Sequence, residues 1–169
     1  KDRPEAGVLL RSAPPDKREA VLVWKSPLYE NLMHKARVDL LCEDQKTIID
    51  LKTSRDISPD KFQRDADTFN YWIQAALYMR GVEALMPGKF EHYVIVAVEK
   101  KPPYQVATYL LDKDWIKMIQ EQLEKKGGPE APKEEQGLIE RYSLAVSTDE
   151  WPGYDSLMQL QPPRYFNSL

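Results

Sequence analysis

The sequence predicts an α/β fold, a central mixed β-sheet flanked by helices, and three observations predict it. Short runs rich in Val, Ile, Leu and Thr recur through the first two thirds of the chain and read as strands. Between the third and fourth of them lies a long stretch with apolar residues at steps of three and four, the period of an amphipathic helix. The resulting order, three strands, helix, two strands, helix, has neither a glycine-rich phosphate loop nor the regular alternation of a nucleotide-binding fold.

Residues 1–18 carry Pro4, Pro14 and Pro15 among charges and are expected to form a loosely ordered lead-in to a single domain over 19–169. Ala20 to Trp24 reads as the first strand, and Ala36 to Cys42 and Thr47 to Thr53 as the next two. The polar Glu43-Asp44-Gln45-Lys46 between them has hairpin length. Ser58-Pro59-Asp60 opens a helix whose apolar stripe is Phe62, Ala66, Phe69, Ile73, Ala76 and Leu77, with Gly81 and Pro87-Gly88 ending it. His92 to Val98 is almost continuously apolar, as a strand buried on both faces would be. Tyr104 to Leu111 pairs with it across Lys100-Lys101-Pro102-Pro103. Asp112 to Lys126 is a second helix with Asp112 or Asp114 at its cap. Beyond Gly127-Gly128-Pro129 a solvated charged stretch is expected, and irregular packing from Trp151 to Leu169.

At 169 residues and 19.6 kDa the chain suits one compact domain. Its 42% hydrophobic and 30% charged content is that of a soluble globular protein and excludes a disordered one. The longest aliphatic run, Val94 to Val98, is far shorter than the roughly 20 residues that cross a bilayer, so no membrane partner is expected. No secretion signal stands at the start, and the single cysteine, Cys42, cannot close an internal disulfide; a cytoplasmic location is the natural reading. The net charge of −3 does not exclude nucleic acid. Residues 1–64 hold 13 Lys and Arg against 11 Asp and Glu, so the acidity belongs to the remainder.

The chemistry is concentrated in the proposed hairpin. If its strands close over residues 43–46, Asp39 faces Asp50, Leu41 faces Ile48 and Arg37 faces Lys52. Alternation then puts Asp39, Asp50 and Lys52 on one side. Opposed carboxylates repel, and a fold tolerates them when a cation sits between or one keeps its proton. Magnesium, or manganese in its place, suits hard oxygen ligands and retains waters that can act as nucleophiles. Lys52 would position or deprotonate such a water, or stabilise charge on a phosphate. The structural alternative is a solvated hairpin face with Lys52 diagonal to Asp39 as an ion pair. A second helical stripe, Arg64, Asp67, Tyr71, Gln74 and Tyr78, carries hydrogen-bonding groups of fixed reach and suits either a cleft wall or a face packed on a neighbour. Lys35, Arg37, Arg55, Lys61 and Arg64 cluster around these motifs and suit phosphate contacts or a solvated face.

The ordered set Lys35-Ala36-Arg37-Val38-Asp39, Ile49-Asp50-Leu51-Lys52-Thr53 and Gln74-Ala75-Ala76-Leu77-Tyr78 resembles the motifs of PD-(D/E)XK nucleases, whose core is restriction-endonuclease-like. The likeness is greatest to the exonuclease VIII (RecE-like) branch, relatives of lambda exonuclease. It extends to Val98-Glu99-Lys100 and Trp151-Pro152-Gly153-Tyr154 and covers roughly residues 19 to 166. The resemblance implies a magnesium-dependent exonuclease that hydrolyses linear double-stranded DNA from the 5′ end. Asp39, Asp50 and the Leu51 main-chain carbonyl would hold the metal, Lys52 would be the catalytic lysine, and Gln74 and Tyr78 would line the site. Arg37, Thr53, Arg64 and Tyr71 would meet DNA. It further implies a closed homo-oligomeric ring, a single-strand-annealing recombination protein as partner, and a phage or prophage gene expressed in a bacterial host.

One departure stands out. In that branch an upstream helical region supplies a further ligand, a His, and the only nearby candidates are Glu19 and His34. With Lys1 in place of a starting Met, the chain is expected to be a fragment or processed product. A catalytically degenerate DNA-binding or recombination scaffold and a structure-specific endonuclease are the competing expectations.

Overall fold

In the computed structural model, which describes residues 4–128, 130–132 and 135–151, a five-stranded mixed sheet is covered by helices on both faces. The strands are β1 (Arg18–Lys25), β2 (Met33–Cys42), β3 (Thr47–Ser54), β4 (His92–Glu99) and β5 (Val106–Leu110), adjacent in that order. All neighbours are antiparallel except β3 and β4, which run parallel. That pair needs a crossover, and α2 (Pro59–Thr68) and α3 (Tyr71–Leu85) supply it.

The crossover departs from the single helix expected. Asn70 adopts a left-handed conformation (φ 56°), which Asn tolerates better than most residues, and the chain turns between the two helices. Phe69, assigned to the buried stripe, is consequently 61% exposed at the break. Ala75, Ala76 and Val82 of α3 pack with Phe62 of α2 on Val38, Ile48, Ile95 and Ala97 of the sheet. Over them α4 (Lys113–Leu123) adds Ile116 and Leu123, and Asp112 caps it by accepting from the Asp114 and Trp115 amides. Trp115 itself is 57% exposed.

The lead-in over 1–18 is not loosely ordered where it is described: α1 spans Pro4–Ser12. Proline is harmless in a first turn, and Ala6, Leu9, Leu10 and Ala13 recur at steps of three and four. They close the second face of the sheet over Leu40, Cys42, Ile49, Val94 and Val96. A further helix, α5 (Leu138–Thr148), lies between the expected solvated stretch and the tail, where the sequence had suggested no element. Its buried Glu140 accepts from the amides of Gly127 (2.7 Å) and Gly128 (3.1 Å), tying the glycine turn down. The Trp151-Pro152-Gly153-Tyr154 motif falls outside the described residues from Pro152 onward.

Gly81 does not end a helix. It lies inside α3, and a Cβ there would sit 2.8 Å from the buried Trp24 ring, which is itself stacked on His34. Gly81→Ala is therefore expected to destabilise the protein. Overpacking costs about 1–3 kcal/mol, and the better helix propensity of alanine returns at most about 1 kcal/mol. A lower urea midpoint with an unchanged slope would register the loss. A raised midpoint would mean that Trp24 yields freely.

Candidate active site

The expected hairpin register holds at Leu40–Ile49, Leu41–Ile48 and Cys42–Thr47, where the ladder stops. The connection between these strands is one tight helical turn, Glu43–Gln45, closed by Lys46 in a left-handed conformation. Asp39 and Asp50 therefore form no ladder pair. Instead the Leu51 amide donates to Asp39 Oδ2 at 2.7 Å. Strict alternation also fails here: Val38 and Leu41 face the same core cluster, while Leu40 and Cys42 face the other. On the far side of Asp39 the β1–β2 register skips Glu19, whose φ is 52°. Asp39 thus sits at a local irregularity between two well-paired segments, half-buried.

Asp50 lies on the α3 side of β3 and is only 3% exposed. The Gln74 amide donates to its Oδ1 at 2.9 Å. The Lys52 ammonium lies 2.7 Å from Oδ2 and donates to Gln74 Oε1 at 2.9 Å. Each of the three side chains thus touches the other two, and the Lys52 ammonium also stands 4.8 Å from the centre of the Tyr71 ring. Burial raises the Asp50 pKa, Lys52 opposes that shift, the Asp39 charge adds to it, and Gln74 opposes it.

The structure thus brings Asp50, Lys52, Gln74 and Tyr71 into direct contact and Asp39 beside them. Leu51 joins the group through its amide, which donates to Asp39. The Tyr78 hydroxyl donates to the Arg37 carbonyl at 3.0 Å, bracing the β2 backbone two residues from Asp39, and its ring lies 6.5 Å from that of Tyr93. The Arg37 side chain pairs with Glu19 at 3.0 Å. Thr53 and Arg64 share a wall with each other but not with Arg37. Asp67 of the second helical stripe turns away to accept from Gln63 at 3.0 Å. His34 lies in β2, stacked on Trp24, and burial lowers its pKa.

One group was not anticipated. Tyr93 is 1% exposed, and its hydroxyl has no partner of good hydrogen-bond geometry. Burial, followed by the nearby Asp50 charge, raises its pKa well above the usual range. A tyrosine in an otherwise aliphatic strand was the available signal, since a phenol placed in such a run must bury its hydroxyl.

The PDDEXK-like domain of unknown function (DUF3799) matches residues 17–154, most of the chain. The chain belongs to this PDDEXK-like family. Its fold is similar to that of the Eubacterium rectale protein named Putative exonuclease, with a TM-score of 0.55 at 12% identity. That similarity covers 95% of this chain and 59% of the other, so the PDDEXK-like domain spans little over half of its neighbour's length. No curated protein matches it. Among the described residues no helix is long and apolar enough to cross a membrane.

PD-(D/E)XK nucleases generally use divalent metals, and the residues of this PDDEXK-like domain fit one. Asp39 and Asp50 offer hard carboxylate oxygens close enough for one charge to raise the pKa of the other. Asp50 Oδ2 is buried with the Lys52 ammonium beside it but no hydrogen bond of good geometry. Among the described residues no three His, Cys, Asp or Glu side chains are grouped as a metal cluster. A cation held by two carboxylates would complete its shell with water and phosphate oxygens, as magnesium commonly does.

Proposed function

We propose that this PDDEXK-like domain is a magnesium-dependent deoxyribonuclease of the exonuclease VIII (RecE-like) branch. It degrades one strand of linear duplex DNA from the 5′ end and passes the exposed strand to a single-strand-annealing recombination protein. The observation that carries the reading is the mutual contact of Asp50, Lys52 and Gln74 with Asp39 alongside. A purely structural ion pair at a sheet surface would not need a buried carboxylate whose pKa burial has raised.

In this reading Asp39 and Asp50 hold the metal, and manganese substitutes for magnesium. When bound, the metal supplies Lewis-acid polarisation of the phosphate and lowers the pKa of an attacking water. Gln74 fixes the rotamer of Asp50 by donating to Oδ1 while accepting from Lys52. Lys52, held by three neighbours, keeps its ammonium poised to stabilise charge gathering on the phosphate or to orient the water. Tyr78 holds the β2 backbone near Asp39. A closed ring of several copies around duplex DNA, and a phage or prophage origin in the bacterial cytoplasm, belong to the same reading.

The test is digestion of end-labelled linear duplex DNA and closed circular duplex with magnesium. The expected result is loss of 5′ label from linear DNA, accumulation of 3′-terminated single strands, and an intact circle. Cleavage of the circle would replace the exonuclease reading by an endonuclease. Binding to both DNAs without cleavage would point to a degenerate scaffold.

A further inference from the structure

Where β3 runs out towards α2, a cleft of about 500 Å³ opens with Thr53, the residue after Lys52, in its wall. Four cations line it: Arg55, Lys61, Arg64 and Lys100. Its two acids, Asp56 and Asp65, are already engaged. Asp65 accepts from the Ser54 hydroxyl at 2.5 Å and Asp56 from the Ser58 amide at 2.9 Å, with Lys61 adding a weaker pull on Asp56. Among the described residues none of the four cations makes an ion pair within 4.0 Å, whereas Lys17, Arg37, Lys46, Arg80 and Lys89 all pair with glutamates. The cleft therefore carries net positive charge, four cations against two carboxylates.

Phe69 adds a second, independent feature. It belongs to the cleft lining and is 61% exposed. Its ring stacks on Tyr71 (5.9 Å between centres, 25° between planes), and Tyr71 in turn lies against the Lys52 ammonium. An aromatic path thus joins the cleft to the Asp50–Lys52–Gln74 group. Cations alone would serve any phosphate. An open aromatic face among them suits a base, and bases present their faces only in an unpaired strand.

We propose that this cleft binds an unpaired DNA strand next to the catalytic group, with Arg55, Lys61, Arg64 and Lys100 on successive phosphates and Phe69 stacked on a base. The assignment deepens the nuclease reading of the neighbouring site and rests on it for the identity of the ligand. The turn at Asn70 leaves Phe69 exposed in the cleft lining rather than in the core.

The test measures binding of a fluorescein-labelled single-stranded oligodeoxynucleotide, and of its duplex, in EDTA so that nothing is cut. Lys61→Ala/Arg64→Ala is expected to weaken single-strand binding at least about tenfold and to reduce the slope of log K against log salt by about 1.4. Phe69→Ala should cost about five- to a hundredfold on the single strand and less on the duplex, with Phe69→Leu reproducing the loss while keeping an apolar side chain. Lys46→Ala/Lys89→Ala removes the same charge elsewhere and should change little. Wild-type affinity in the Lys61/Arg64 and Phe69 variants overturns the proposal, as does an equal loss in the control pair. Displacement by inorganic phosphate with Phe69→Ala behaving as wild type would reduce the cleft to a phosphate site and overturn it too. Hydrolysis in magnesium is scored separately. A wild type that cuts nothing, with strand binding lost in these variants, leaves the cleft standing and removes the nuclease reading. A wild type that cuts, with binding retained in the variants, does the reverse.

Discussion

Replacing Lys52 with methionine is expected to lower magnesium-dependent DNA hydrolysis by about two to four orders of magnitude. DNA affinity measured without divalent metal should stay within about threefold of wild type, because one phosphate contact at most is lost. The ammonium is the only cation in contact with the buried Asp50 carboxylate among the described residues, and its side chain is only 18% exposed. Its position is set from three sides, by Asp50, Gln74 and the Tyr71 ring. Methionine keeps most of the stem and removes the charge. It also leaves Asp50 without its counter-ion, a change that costs several kcal/mol when the partner stays charged. A thermal unfolding curve must therefore accompany the rate, so that lost chemistry is separated from lost fold. Near wild-type hydrolysis by a folded Lys52→Met protein would remove Lys52 from the reaction.

Asp50→Asn should move activity and stability in opposite directions. Hydrolysis should become undetectable, because one of the two proposed metal ligands is gone. The apo protein should nevertheless melt at a higher temperature than wild type at neutral pH. Burial is the largest influence on Asp50 and raises its pKa despite Lys52, so its charge is a net cost to the fold. Between the ordinary aspartate value of about 3.9 and the raised folded value, the folded state holds more protons than the unfolded one. Stability contributed at this group therefore falls as pH rises through that window, and the cost is fully present above it. The advantage of Asp50→Asn should accordingly vanish in acid and be complete at neutral pH, measured in EDTA. Magnesium should reverse the order: it stabilises wild type by about 2.7 kcal/mol at a hundredfold excess over its Kd and leaves Asp50→Asn unchanged. A variant that melts lower than wild type in EDTA, or that magnesium still stabilises, would refute this account of Asp50.

The stability cost at Asp50 and the cations beside Phe69 describe one design. The sheet buries a charge that the fold alone would do without, and the adjoining cleft carries net positive charge. In the proposed reading, a divalent cation and a phosphate chain would make both favourable.

Local pattern determined a large part of this in advance. The strands at Thr47–Ser54 and His92–Glu99, the cap at Asp112 and the hairpin register through Leu41–Ile48 follow from periodicity, loop length and capping chemistry, all short-range properties of the chain. The meeting of Asp50, Lys52 and Gln74 was legible because alternation along a strand and spacing along a helix carry residue positions directly to faces, whereas alternation fails around Asp39.

Tertiary structure decided what the pattern could not. Whether Ala6, Leu9, Leu10 and Ala13 formed a helix depended on an open sheet face needing cover, since a nine-residue helix rarely holds alone. The end of the ladder before Asp39, the Tyr78 hydroxyl on the Arg37 carbonyl and the Tyr93 phenol beside Asp50 are contacts between residues far apart in sequence. The turn at Asn70 interrupts a continuous apolar period within the crossover that joins the parallel strands β3 and β4. Sequence thus determined which groups could act. The crossover and the sheet that it closes decided which of them meet.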